Sequence, residues 1–163
     1  MVIVGLLVVG GFAARQLVLA APQMTKFDTP AKTTGYVTYA AEAQTVKAGK
    51  PAVLELRFQV REGFHVNSHM PKSELLIPTT MKLQAADGVK PAEIVYPTGT
   101  LYSFAFDPKE KLDVYSGTFT VKVPVVATAG EHTVEGSLHY QACDTAACYP
   151  PKTLPLQVIF TAK

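Results

Sequence analysis

Two cysteines are the residues of this chain whose type and spacing are best suited to chemistry. Cys143 and Cys148 are the only cysteines among the 163 residues, and four residues separate them. Fully extended, this stretch would hold the two Cα atoms roughly 17 Å apart, whereas a disulfide needs about 5.5–6 Å. The intervening residues must therefore double back as a turn if the sulfurs are to bond. The pair is then either a structural staple or a dithiol that opens and closes by thiol–disulfide exchange.

The short loop between the cysteines makes a purely structural role less attractive. Closing so short a loop stabilises a protein by only about 2 kcal/mol in the chain-entropy model, against more than about 4 kcal/mol for a bridge across a whole domain. The chain is 48% hydrophobic and can fill a core without such a clip. The rigid Pro150-Pro151 pair that follows suits a loop that reacts while the rest of the domain stays folded.

The sequence pattern predicts that the elements that position this loop are β-strands. Apolar and polar residues alternate with a period of two, which places apolar side chains on one face of a half-buried strand. Gly and Pro punctuate these runs, and no segment of the body keeps a helical period. The sequence predicts an all-β domain, an immunoglobulin-like antiparallel β-sandwich of seven to nine strands. The clearest predicted strands cover residues 52–60, 118–123, 134–140 and 154–160, and residues 37–46, 79–84 and 92–96 are weaker ones.

The N-terminal segment differs from the body. Residues 1–14 carry no charge, Arg15 interrupts, and the apolar run resumes to Pro22. The run suits a signal peptide cleaved after Ala20, an uncleaved anchor over residues 2–22, or a buried strand. The first two options put the remainder outside the cytoplasm, where disulfides persist. We predict a leader over residues 1–22, a polar linker over 23–35 and the β domain over 36–163.

Composition excludes several classes of function. The formal net charge is +2 and no Lys/Arg run occurs, so nucleic acid is not an expected partner. The absence of Trp excludes the Cys…Trp…Cys core of antibody-type domains. No Gly-x-Ser-x-Gly elbow or paired-carboxylate motif supports a hydrolase.

The motif around the cysteines resembles a known family. Tyr140-Gln141-Ala142-Cys143 and Cys148-Tyr149-Pro150-Pro151 are similar to the N-terminal periplasmic domain of DsbD, the thiol:disulfide interchange protein of bacterial membranes. The likeness covers most of residues 35–160. Softer matches are Gly63-Phe64-His65-Val66-Asn67-Ser68-His69, Leu76-Ile77-Pro78-Thr79 and Tyr96-Pro97.

The resemblance implies a periplasmic sandwich that relays reducing equivalents as a protein-disulfide reductase component. It implies that Cys148 attacks a partner disulfide and that Cys143 resolves the mixed disulfide, with no bound cofactor. The implied partners are thioredoxin-fold proteins of the disulfide isomerase or cytochrome c maturation type. Two features depart from the family: four residues rather than five lie between the cysteines, and no membrane or thioredoxin-like domain follows. We therefore expect the electron donor to be a separate polypeptide, unless the chain is a fragment.

Five further residues are candidates for the surroundings of the pair. By resemblance His65 and Asn67 share one face of a strand beside the cysteine loop, where either could hydrogen-bond a sulfur or tune its charge; a surface-strand histidine is the alternative. In the family an aromatic loop residue caps the active cysteine, which suggests Phe104 or Phe106 in the stretch 102–107. Tyr149 adjoins Cys148. Asp144 would disfavour a thiolate if it pointed inward, and otherwise forms a turn.

Two other functions remain open at the sequence level. His65, His69 and Met70 lie close together, and imidazole with thioether or thiolate suits copper. No third or fourth ligand is set by spacing, so no metal site is assigned. The other alternative is a structural or interaction domain with a local disulfide, in which Cys143→Ser and Cys148→Ser would only lower stability.

Overall fold

The computed structural model describes residues 35–104 and 107–163, and these residues form strands, turns and loops. No helix within these ranges is long and apolar enough to cross a membrane. Twelve strands follow one another along them. They are β1 (Val37–Ala40), β2 (Gln44–Val46), β3 (Ala52–Val60), β4 (His65–Asn67), β5 (Thr80–Leu83), β6 (Val89–Pro91), β7 (Thr100–Phe104), β8 (Asp107–Tyr115), β9 (Thr118–Ala127), β10 (Gly130–Tyr140), β11 (Ala142–Cys143) and β12 (Lys152–Ala162).

The strands form three sheets of four strands each. Their orders are β1-β3-β9-β6, β2-β12-β10-β5 and β11-β4-β8-β7. All pairs are antiparallel except β2 with β12, which is parallel. Strand β11, which ends in Cys143, is the edge strand of the third sheet and pairs with β4.

Alternation along the long strands explains how the first two sheets pack. In β3 the residues Leu54, Leu56 and Phe58 are buried while those between them are exposed, and β9, β10 and β12 repeat the pattern. Successive side chains of a strand point to opposite faces, so each sheet has one apolar face. These faces share one apolar core, to which β12 contributes Leu156 and Val158. The result is an immunoglobulin-like antiparallel β-sandwich, as the alternation predicts.

The strong strand predictions are confirmed, and two weaker expectations are wrong. Residues 92–96 are not a strand, because Val95 makes only an isolated bridge to Lys122. Phe104 and Asp107 do not lie in a free loop, since β7 runs to Phe104 and β8 begins at Asp107. The predicted leader over residues 1–22 and almost all of the linker over 23–35 lie outside the described residues, as does Phe106.

Candidate functional site

The cysteine loop is a tight hairpin. Cys143 and Cys148 are joined by a disulfide, and their Cα atoms are 3.9 Å apart, closer than expected from the sequence. They also form an isolated antiparallel bridge. Backbone hydrogen bonds close the loop on both sides of the bridge: Asp144 N donates to Ala147 O at 3.0 Å, and Tyr149 N donates to Ala142 O at 2.8 Å. The backbone thus folds the loop back as the spacing requires.

The two cysteines differ sharply in exposure. Cys143 is completely buried, at 0% relative exposure, whereas Cys148 is exposed. A disulfide is opened by a sulfur nucleophile that must reach one of its sulfur atoms. Because Cys148 is exposed and Cys143 is buried, we expect an external thiol to reach this loop at Cys148. The hairpin therefore makes the pair chemically asymmetric.

Asp144 organises the turn between the cysteines. Its Oδ1 accepts hydrogen bonds from the backbone N–H groups of Ala146 (2.7 Å) and Ala147 (2.9 Å), and its Oδ2 accepts one from the Tyr149 hydroxyl (2.5 Å). The Tyr149 hydroxyl and these two N–H groups lower the pKa of the Asp144 carboxyl. The same bond raises the pKa of the Tyr149 hydroxyl. Asp144 is thus a turn-forming carboxylate that is ionised at neutral pH.

A buried amide network connects the loop to β4. Asn67, which is fully buried, donates from Nδ2 to Ile77 O and to Gln141 Oε1, each at 3.0 Å. The Gln141 Nε2 group donates to Tyr149 O at 3.3 Å. Gln141, the residue before β11, is therefore bonded to Asn67 of β4 and to Tyr149, the residue after Cys148. The structure links Asn67 to the cysteine loop through Gln141, and a role of Asn67 at the cysteine sulfurs remains a prediction.

His65 lies directly opposite Cys143 in the ladder between β4 and β11. Its side chain is buried, at 5% exposure, and its ring centroid lies 4.0 Å from that of Tyr102 and 6.0 Å from that of Phe104. Burial lowers the pKa of the His65 imidazole, and the Asp144 carboxylate acts in the opposite direction to a smaller extent. The imidazole is therefore neutral at pH 7. Phe104 packs beside His65, and its proposed role as a cover for Cys148 remains a prediction.

An aromatic cluster next to Cys148 was not predicted. The ring of Tyr149 lies 5.3 Å from Tyr36 and 5.9 Å from Phe64. The guanidinium of Arg61 lies 4.3 Å from the Phe64 ring, and the ammonium of Lys152 lies 5.2 Å from the Tyr36 ring. Phe64 of the Gly63–His69 match and Tyr149 of the Cys148–Pro151 match were the sequence signals for this cluster.

The residues of the copper alternative have separate surroundings. The ring of His69 stacks on Tyr96 at 3.7 Å and its Nδ1 lies 3.0 Å from Thr79 O, whereas His65 packs on Tyr102. Met70 is 79% exposed. Among the described residues, no three His, Cys, Asp or Glu side chains converge as a metal site would require.

This chain is similar to one protein family and to several solved structures. Residues 36–158 match the family described as "Thiol:disulfide interchange protein DsbD, N-terminal". No curated protein matches the chain significantly.

Among solved structures, the N-terminal periplasmic domain of ScsB from Proteus mirabilis is 11% identical, with a TM-score of 0.52; the match covers 75% of this chain and 44% of that one. The reduced DsbD N-terminal domain of Neisseria meningitidis is 18% identical, with a TM-score of 0.43. The match covers 67% of this chain and 81% of that one. The same domain in complex with the PilB N-terminal domain is 17% identical, with a TM-score of 0.47. The match covers 81% of this chain and 87% of that one. At these identities the likeness concerns the fold.

Proposed function

The chain belongs to the DsbD N-terminal domain family, and from this premise and the asymmetric cysteine pair we propose that it relays reducing equivalents to thioredoxin-fold proteins of the periplasm. The family supports thiol–disulfide exchange as the chemistry and the periplasm as the compartment. The single observation that carries the roles of the two sulfurs is the contrast between exposed Cys148 and fully buried Cys143.

In the proposed cycle the dithiol form acts first through Cys148. Its thiolate attacks one sulfur of a partner disulfide, the partner's sulfur–sulfur bond breaks, and the second partner sulfur leaves as a thiolate. Cys143 then loses its proton and attacks the Cys148 sulfur, which releases the first partner sulfur and forms the internal disulfide. The partner has gained two electrons and two protons, and the domain has lost them. A donor dithiol restores the starting state.

The sulfurs themselves carry the electrons, so no bound cofactor is required. The thioredoxin-fold class of the partner and the separate electron donor are parts of this proposal. A leader over residues 1–22 would deliver the domain to the periplasm. Isomerases and cytochrome c maturation factors are the partner types that we expect.

Reduction potential tests the exchange function. We would equilibrate the protein in glutathione buffers, trap its thiols and record circular dichroism of both redox forms. An exchange domain should show a potential well above about −300 mV and keep its fold in both states. A lower potential with loss of structure on reduction would contradict exchange and indicate a structural staple.

Single-cysteine variants test the assigned roles. With an oxidised thioredoxin-fold protein as the probe, Cys143→Ser should accumulate a mixed disulfide through Cys148, because the resolving thiol is missing. Cys148→Ser should accumulate far less, because buried Cys143 cannot reach the probe. Equal trapping by both variants would contradict the proposed roles.

A further inference from the structure

A buried polar atom without a partner lies beside the cysteine loop. Within the described residues, two buried side-chain polar atoms lack a hydrogen-bond partner, His65 Nε2 and Asn67 Oδ1. Such an atom costs free energy when it is shielded from water, so native proteins rarely retain one without a reason. Both atoms belong to β4, the strand that pairs with the cysteine strand β11.

The position of His65 connects its Nε2 atom to the redox state of the cysteine pair. His65 and Cys143 are direct partners in the antiparallel ladder, so their side chains leave the sheet on the same face. Directly opposite residues have Cβ atoms about 4.5–5.5 Å apart. In the disulfide form Cys143 has no thiol proton to donate. Reduction creates an S–H group at a position with 0% exposure, where water cannot accept its hydrogen bond.

We infer that His65 Nε2 is the hydrogen-bond acceptor of the reduced Cys143 thiol and takes its proton in the resolving step. The proton moves from Cys143 Sγ to His65 Nε2 as the sulfur attacks Cys148. The bond between Cys148 and the partner breaks, and the partner sulfur leaves with the electron pair. The imidazolium then returns its proton to solvent or to the released thiolate. This role rests on the proposed exchange function.

The surroundings of His65 suit a proton acceptor. A general base must carry a free lone pair at working pH, and the buried ring is neutral there. The titratable groups that face it in the described part of the chain are Tyr102 of β7 and Asp144 beside Cys143. The Asp144 carboxylate favours the transient imidazolium. To accept this proton, the His65 ring must be the tautomer that carries its own proton on Nδ1.

A two-phase reaction isolates the resolving step. Reduced protein mixed with 5,5′-dithiobis(2-nitrobenzoate) should release one nitrothiobenzoate as Cys148 attacks and a second as Cys143 resolves. In His65→Gln we expect an unchanged first phase and a second phase about 100-fold slower at pH 7. The variant's second phase should rise about tenfold per pH unit, as the thiolate fraction does, and approach the wild-type rate above the thiol pKa.

The control is His132→Gln, because His132 lies at the opposite end of β10 from the loop and its Nε2 is near Thr128 O. Both phases should keep their wild-type rates in this variant. A folded His65→Gln protein with the wild-type second phase and pH profile would overturn the inference while leaving exchange intact. A wild-type protein that lacks both phases would overturn the exchange function as well.

Nitrogen-15 spectra of the wild-type imidazoles keep the inference testable if His65→Gln does not fold. The Nε2 resonance of His65 should have the shift of an unprotonated nitrogen in the disulfide form and move on reduction as it accepts a hydrogen bond. His132 should not respond. A His65 Nε2 resonance that is identical in both redox states would overturn the inference.

Discussion

The Tyr149 hydroxyl donates a hydrogen bond of 2.5 Å to Oδ2 of Asp144. Asp144 directly follows Cys143 and Tyr149 directly follows Cys148, so this bond and the disulfide close the same short loop. The backbone hydrogen bonds from Asp144 N to Ala147 O and from Tyr149 N to Ala142 O also hold this loop closed. We expect the loop to keep its shape when the disulfide opens, which holds the two thiols at a high effective concentration.

Tyr149→Phe tests whether the Asp144–Tyr149 hydrogen bond keeps the loop closed when the disulfide is open. The substitution removes the hydroxyl but retains the ring that packs against Tyr36 and Phe64. The reduced loop should sample more conformations, so the disulfide should become severalfold easier to reduce in equilibrium with glutathione. Thiol trapping across glutathione ratios measures this constant.

Tyr39→Phe is the matched control, since it removes a tyrosine hydroxyl from β1 and leaves the loop untouched. Its equilibrium constant should equal that of the wild type. If Tyr149→Phe also equals the wild type, the Asp144–Tyr149 bond does not organise the reduced loop.

The turn should depend on pH through Asp144. The Tyr149 hydroxyl and the backbone N–H groups of Ala146 and Ala147 lower the pKa of this carboxyl, so the folded state favours the carboxylate. The stabilisation is present above the ordinary aspartate pKa and is lost as pH falls through the lowered one. The amide proton shifts of Ala146 and Ala147 should therefore change at a pH below the usual aspartate range. Asp144→Asn should abolish this titration, and a midpoint at or above the usual range would contradict it.

The sequence predicted the fold well where alternation is long. Nine residues of β3 and eleven of β12 repeat the period of two, and their burial follows it. The strand predicted over residues 92–96 is not formed, because Ile94 and Tyr96 pack on the core while the backbone pairs with β9 only through the isolated Val95–Lys122 bridge. Their alternation therefore reflects burial alone. Strand β8 was not predicted, because Lys109, Glu110 and Lys111 in its first half are exposed and give no apolar pattern. Pro108 suggested a turn, yet proline is tolerated near the start of a strand.

The site was predictable only in its local part. The turn and its Asp144 follow from neighbouring residues, and the cysteine motif carries the family resemblance. The burial of His65 could not be predicted, because β4 has three residues and all are buried. The Asn67–Gln141 bond joins residues 74 positions apart, a distance over which one sequence carries no pairing signal.

Phe104→Ala tests which group the β7 aromatics shield. Phe104 lies near the rings of His65 and Tyr102, so its removal should open the region beside buried Cys143. In reduced Cys148→Ser protein, iodoacetamide should then alkylate Cys143 faster than with Phe104 intact. Faster alkylation of Cys148 in Cys143→Ser would instead support a cap over the attacking sulfur. Unchanged rates at both sulfurs would show that Phe104 shields neither.

Gln141→Leu tests the amide network that holds the loop against β4. The substitution keeps the side-chain size but removes the acceptor of the Asn67 and Ile77 N–H groups and the donor to Tyr149 O. Because Asn67 is fully buried, the free energy of unfolding should fall by about 1–3 kcal/mol in urea denaturation. The redox equilibrium should shift as well, since Tyr149 is then less firmly placed. Gln157→Leu is the control, because Gln157 donates to Glu135 at an exposed position and its loss should cost little. Equal effects of the two substitutions would mean that the network does not support the cysteine loop.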